Sequence, residues 1–192
     1  MKKIALVATV FAVIAVMSFS ASAQGKFALN IGADVMVPMG DFSDVVSIGF
    51  GGTVRGEYAF TPVFSGTFRT GYLIWTGKDR EGVELGNWSG IPIFIGGKYY
   101  FQPQGNKMRF YGSAELGLII LSVSVPEVKV GDFVVGGGSA SSTEFAFTPT
   151  VGLEVPAGPK AVIDFAVGYM MIASSGSAHN ITGRVGYKFM LN

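Results

Sequence analysis

Thirteen charged residues sit inside stretches of alternating apolar character, and they are the largest set of groups in the chain able to do chemistry together. Seven are basic (Lys26, Arg55, Arg69, Lys98, Arg109, Arg184 and Lys188), and six are acidic (Asp34, Glu57, Glu115, Glu144, Glu154 and Asp164). A set this evenly balanced can form a network of ion pairs or line a narrow polar passage. Catalysis asks for more, because a nucleophile needs a base and an orienting acid within reach. The one histidine, His179, is read as lying in a connecting loop beside Asn180, with Ser174, Ser175 and Ser177 nearby. A lone loop histidine is most often just solvated, so no catalytic residues are expected. With one His, no Cys and scattered loop carboxylates, neither a metal site nor a cofactor is expected.

The elements that carry these charges have a period of two. Eight segments show it, at roughly 26–38, 47–60, 64–76, 88–101, 108–124, 143–155, 162–172 and 180–191. In the first, Phe27, Leu29, Ile31, Ala33, Val35 and Val37 share one face, opposite Lys26, Asn30 and Asp34. In the fourth, Ile91, Ile93, Ile95, Tyr99 and Phe101 oppose Lys98. All thirteen charges fall on the less apolar parity of their segments, a split that helices would scramble. The connections alternate in length. Those at 61–63, 102–107 and 156–161 are short, and those at 39–46, 77–87, 125–142 and 173–179 are longer.

The first residues read as a targeting segment. Lys2 and Lys3 precede an apolar run from Ile4 to Met17, and Ala21-Ser22-Ala23 ends it with small residues. A cleavable signal peptide over 1–23 and one domain over 24–192 are expected. Without Lys2 and Lys3 the chain carries 12 basic and 13 acidic residues, so no basic field draws it to nucleic acid. The absence of cysteine excludes a disulfide framework.

Alternation of this kind suits either a soluble barrel with its apolar face inward or a membrane barrel with that face outward. The connections and the aromatics favour the second. Short and long connections alternate as periplasmic turns and external loops do. Phe60, Phe64, Tyr99, Phe101, Phe110 and Phe189 fall near the short turns, and Phe50, Tyr72, Trp75, Trp88, Phe145 and Tyr169 near the loops, as two interfacial girdles. Lys98 and its counterparts then point into the lumen, since a Lys or Arg facing lipid at mid-bilayer costs about 2–4 kcal/mol. The expected fold is all-β, an eight-stranded antiparallel up-and-down transmembrane β-barrel.

Four stretches carry a family resemblance: "IPIFIGGKYYF" at 91–101, "RFYGSAELGL" at 109–118, "FTPTVGLEV" at 147–155 and "GRVGYKFMLN" at 183–192. Together they resemble the small eight-stranded outer-membrane barrels of the OmpX and OmpA transmembrane-domain type. The resemblance implies location in the outer membrane of a Gram-negative-type cell, contact with its lipids and lipopolysaccharide, and insertion by the barrel assembly machinery. Phe189 is the nearest match to the family's terminal aromatic. Lipid A deacylase barrels place a serine two residues after a histidine, where this chain has Ile181.

Within the lumen, Arg55, Arg69, Lys98, Arg109 and Arg184 are expected to pair with Glu57, Glu115, Glu154 and Asp164. Gly32, Gly51, Gly71, Gly96, Gly117 and Gly152 would make room for the long arginines and for Tyr100 and Tyr111. The connection at 125–142 can extend the fifth and sixth strands as a hairpin turning at Gly131-Asp132. Val128, Val130, Phe133, Val134 and Val135 would form its contact surface. Pro149 and Pro92 mark weak seams or bulges, and Pro149 a possible lateral opening. The external loops carry seven acids and three bases, able to recruit divalent cations that bridge lipopolysaccharide phosphates. These features describe a structural or surface protein with a side-chain-filled lumen and loop-mediated contact. The alternative is a narrow pore or carrier for small or apolar molecules, like OmpW. The external ligand is unspecified.

Overall fold

The computed structural model describes residues 26–80, 83–84, 86–103, 108–130, 133–174 and 178–191. The signal peptide expected at 1–23 lies outside them. The strands are β1 (Lys26–Met39), β2 (Val46–Ala59), β3 (Phe64–Gly77), β4 (Asp79–Arg80), β5 (Val83–Glu84), β6 (Asn87–Tyr100), β7 (Arg109–Val130), β8 (Phe133–Gly158), β9 (Ala161–Ala173) and β10 (Ala178–Leu191). One helical turn, α1 (Phe42–Val45), stands between β1 and β2. Eight strands close in the order β1-β10-β9-β8-β7-β6-β3-β2, and β4 with β5 forms a small separate hairpin. Every neighbouring pair in the barrel is antiparallel, and β1 with β10 seals it through Phe27↔Leu191 to Met39↔His179. Closure pairs the backbone around the whole wall, as a membrane interior requires.

The pleat sends alternate side chains to lipid and lumen. Ile31, Val35, Phe50, Val54, Ile93, Ile95, Val167 and Val185 are exposed on the outside. Asp34, Arg55, Glu57, Arg69, Lys98, Glu115, Glu154, Asp164, Arg184 and Lys188 are buried inside. On the turn side, Phe60, Phe64, Tyr99, Phe101, Phe110 and Phe189 are exposed, with Phe60 stacked on Phe64 and Tyr99 edge-on to Phe101. On the loop side, Phe50, Tyr72 and Phe145 face outward.

Several elements differ from the sequence reading. Trp75 is fully buried and Trp88 packs against the same inner cluster, so neither belongs to the girdle. Each shares the parity of a lumenal cation, Arg69 on β3 and Lys98 on β6, and parity outranks nearness to a strand end. The stretch at 125–142, by contrast, extends the fifth and sixth strands as the hairpin reading expects, with β7 and β8 pairing on to Val130↔Phe133 in one register. Strand β8 also runs through Pro156, where a register shift to Gly158 ends it, leaving a tighter final turn than 156–161. His179 lies in β10, opposite Met39 and Met171, and not in a loop.

The two prolines each interrupt one ladder without changing its register. The β3–β6 pairing lapses between Thr70↔Ile93 and Leu73↔Gly90, and the β8–β9 pairing between Phe147↔Met171 and Thr150↔Gly168. On their other sides Pro92 pairs with Ile119 and Pro149 with Ala114. A bulge would add a residue and shift the register. These sites are gaps left by a missing N–H, and the wall pairs again immediately above and below.

Candidate functional site

The lumen holds two stacked layers. The layer towards the periplasmic turns is ionic. There Lys98 Nζ donates to Glu57 Oε1 at 3.1 Å and to Glu154 Oε1, and lies 3.9 Å from Asp164 Oδ2. Lys188 Nζ donates to the other Glu57 oxygen at 3.2 Å and also to Glu154 Oε1. Tyr100 Oη donates to Glu154 at 2.9 Å and Tyr111 Oη to Asp164 at 2.7 Å. The Tyr111 ring carries the Lys98 ammonium 3.8 Å from its centroid. Asn30 Nδ2 supplies Asp164 with a further donor at 2.7 Å.

A second knot lies higher. Glu115 is ion-paired with two arginines, Arg55 Nε at 2.8 Å and Arg69 Nε at 2.7 Å. Arg55 also faces Asp164 at 3.6 Å and Arg69 faces Asp34 at 3.9 Å, while Thr53 Oγ1 donates to Asp34 at 2.6 Å. Burying lone charges is costly, and close packing of opposite charges is what makes the layer tolerable. The oxygens of Glu57, Glu154 and Asp164 lie within 4.8 Å of one another, the kind of group that can bind a cation. The Lys98 ammonium touches all three and supplies that charge itself.

Above the ions the lumen is apolar. Met36, Leu73, Trp75, Phe94, Ile119, Leu121, Ala146, Met170, Ile172 and Ala178 form one buried cluster. Arg69 marks the boundary, its guanidinium 5.0 Å over the Phe94 ring. From the first external connection, Phe42 on α1 drops into the cluster and meets Trp75 and Trp88 edge-on, each at 5.9 Å. Trp75 reaches across the barrel from β3 to β10, where its indole N–H donates to Asn180 Oδ1 at 3.1 Å. A Cβ on Gly49 would lie 2.5 Å from the indole Cδ1, so the glycine makes that crossing possible.

The chain matches the family described as the outer membrane protein beta-barrel domain over residues 6–189. It belongs to that family. Its place is therefore the outer membrane, with the apolar wall in lipid. No curated protein matches the sequence significantly. Among solved structures, Neisserial surface protein A is 14% identical, with a TM-score of 0.66 over 88% of this chain and 100% of that one. Ail of Yersinia pestis, solved with the heparin analogue sucrose octasulfate, is 14% identical, with a TM-score of 0.59 over 88% and 100%. OprG from Pseudomonas aeruginosa is 14% identical, with a TM-score of 0.59 over 88% and 96%. At such identity these structures share the fold.

Within this outer-membrane barrel, the residues singled out from sequence fall into place unevenly. Arg55, Arg69 and Lys98 pair with Glu57, Glu115, Glu154 and Asp164 as described. Arg109 does not join them. Its Nη2 donates to the Pro62 carbonyl at 2.7 Å, and its guanidinium stacks 3.6 Å over Tyr100, tying two periplasmic turns together. Arg184 donates to Asn30 Oδ1 at 3.1 Å and to the Thr53 carbonyl at 3.4 Å, without a carboxylate in salt-bridge contact among the described residues. Lys188 and Asp34 are partners that the expected pairing omitted, though both share the lumenal parity. The glycines also divide. Gly32 admits Arg184 and Gly152 admits Tyr111, whereas Gly71, Gly96 and Gly117 sit against neighbouring backbone and Gly51 against Leu73 and the Tyr72 carbonyl.

The hairpin residues are placed by their backbones. Val128 pairs with Val135 and Val130 with Phe133, while Lys129 meets Val134. The turn at Gly131-Asp132 and the side chains of Val128, Val130, Phe133, Val134 and Val135 lie outside what is described. His179 stacks on Tyr169 with centroids 5.7 Å apart, and Ser175 and Ser177 lie outside the described residues.

Proposed function

We propose that the protein is a non-enzymatic, non-conducting outer-membrane surface protein that acts through its external hairpin. The observation that carries this reading is the pair of stacked layers that the described side chains build across the lumen, an ionic block below an apolar one. Conduction would have to break several charge-assisted hydrogen bonds at once or wet an aromatic-lined constriction. Neither obstacle touches the hairpin, where β7 and β8 run on beyond their last partners on β6 and β9, Ser124↔Asn87 and Phe145↔Ala173. Beyond those partners, its strand edges pair with no further strand among the described residues and offer backbone donors and acceptors to an extended partner. Contact with lipopolysaccharide and insertion by the barrel assembly machinery belong to the same proposal. Ail was solved with a polyanionic saccharide analogue. The net negative loops of this chain favour a different contact, in which divalent cations bridge to lipopolysaccharide phosphates.

Joining Ser124 to Ser139 through a two-residue turn removes the hairpin and leaves the barrel register intact. Cells carrying this variant should lose the surface adhesion conferred by the unshortened protein while their permeability to small dyes stays the same. Unchanged adhesion would overturn the reading. A second reading, a narrow pore or carrier, is favoured by one feature, a recess at the periplasmic end lined by Glu57, Ser65, Tyr100, Arg109 and Lys188. Conductance separates the two readings.

A further inference from the structure

Among the described residues, the apolar half of the lumen holds a buried amide whose N–H group finds no acceptor. Asn180 is fully buried on β10, between Pro38 on β1 and Met170 on β9. An indole N–H can only donate, so the bond from Trp75 fixes the amide with Oδ1 towards the indole and Nδ2 turned away. That Nδ2 has no acceptor among the described residues. A buried donor left unmade is expensive, and in native structures it asks for an explanation.

Through Trp75 the amide adjoins the buried apolar cluster, into which Phe42 packs. Met36, Leu73, Met170, Ile172 and the two tryptophans supply apolar walls, and the ionic block closes the floor. The Phe42 ring lies against both tryptophans in the position an aromatic guest would take. Its attachment is slight. The helix α1 has four residues and no side-chain hydrogen bond at its N-cap. Lys78 holds it through two bonds, Nζ to the Ser43 carbonyl at 2.6 Å and its backbone N–H to the Val45 carbonyl at 3.0 Å.

We propose that this outer lumen is a dead-end binding site for a small apolar molecule bearing a single hydrogen-bond acceptor, such as a ketone or an ester. The guest enters from outside by displacing Phe42, sets its apolar body against Trp75 and Trp88, and accepts from Asn180 Nδ2. The site selects an acceptor because the indole N–H is already spent and Nδ2 can only donate. The ion pairs beneath prevent onward passage, so the site retains its ligand and does not transport it.

The test is a titration of the full ¹⁵N-labelled barrel in lipid nanodiscs with acetophenone and, separately, ethylbenzene, which has a similar shape and no acceptor. The readouts are the side-chain amide of Asn180 and the indole N–H signals of the chain's two tryptophans, Trp75 and Trp88. The expected result is saturable shifts, with acetophenone bound roughly tenfold more tightly, the worth of one buried hydrogen bond. Phe42→Ala should tighten both ligands by removing their competitor. Asn180→Leu should abolish the preference for the ketone while keeping affinity for ethylbenzene. Linear, unsaturable shifts would show partition into lipid only and overturn the proposal. Equal affinity of the two molecules for the unsubstituted barrel would do the same, since a trapped water would then be answering Nδ2. That comparison needs no variant to fold.

Discussion

Glu115→Ala is the perturbation that most directly probes the ionic layer. Glu115 is the shared counter-charge of Arg55 and Arg69, at 2.8 and 2.7 Å, and all three side chains are almost wholly buried. Removing it leaves two guanidiniums whose remaining acids lie at 3.6 Å (Asp164, for Arg55) and 3.9 Å (Asp34, for Arg69). Breaking one partner out of a buried pair costs about 3–5 kcal/mol, because the survivor is stranded in low dielectric. The nearby Asp164 and Asp34 offset part of that, so a loss of about 3 kcal/mol is expected. Equilibrium urea unfolding of the barrel refolded into lipid vesicles, followed by tryptophan fluorescence, measures it. The double variant Glu115→Ala/Arg69→Ala removes one stranded cation with its acid. It should be less destabilised than the sum of the single variants by roughly 1–3 kcal/mol of coupling. A loss under about 1 kcal/mol for Glu115→Ala, with simple additivity in the double variant, would refute the claim that these charges form one mutually dependent network.

Arg109→Ala should behave unlike its lumenal counterparts. Its partners are turn carbonyls and the Tyr100 ring at the partly exposed periplasmic end, so about 1–2 kcal/mol should be lost in the same unfolding assay. Gly152→Val drives a side chain into the Tyr111 ring, and roughly 1–3 kcal/mol of overpacking should appear as a lower unfolding midpoint. Val167 is 57% exposed at the centre of β9, and Val167→Arg should cost about 2–4 kcal/mol in vesicles.

The architecture was legible in the sequence because alternation and charge parity are both period-two signals. Lys98 had only one face of β6 that avoided lipid. Parity gives direction, however, and not height or rotamer. Which acid meets Arg55 depends on how far each side chain reaches across a closed barrel, and Arg109 and Arg184 found carbonyls and amides in place of carboxylates. The apolar outer lumen could have been read from Trp75 and Trp88, which share the parity of Arg69 and Lys98. Their nearness to strand ends suited a girdle equally well and obscured it. The hairpin was partly hidden by Pro126 and Gly136-Gly137-Gly138, which argue locally against a strand. Gly137 takes a φ of +77° there, which only glycine adopts freely. Cross-strand pairing carried the extension through them.

The measurement that tests the central claim most directly is single-channel conductance of the refolded barrel in planar bilayers, with the hairpin intact and with it shortened. Two filled lumenal layers predict silence from both proteins across the voltage range that the bilayer tolerates. Reproducible conductance steps from either, altered by Glu115→Ala, would show that the ionic layer lines a conduit, and the account of a closed lumen would be wrong.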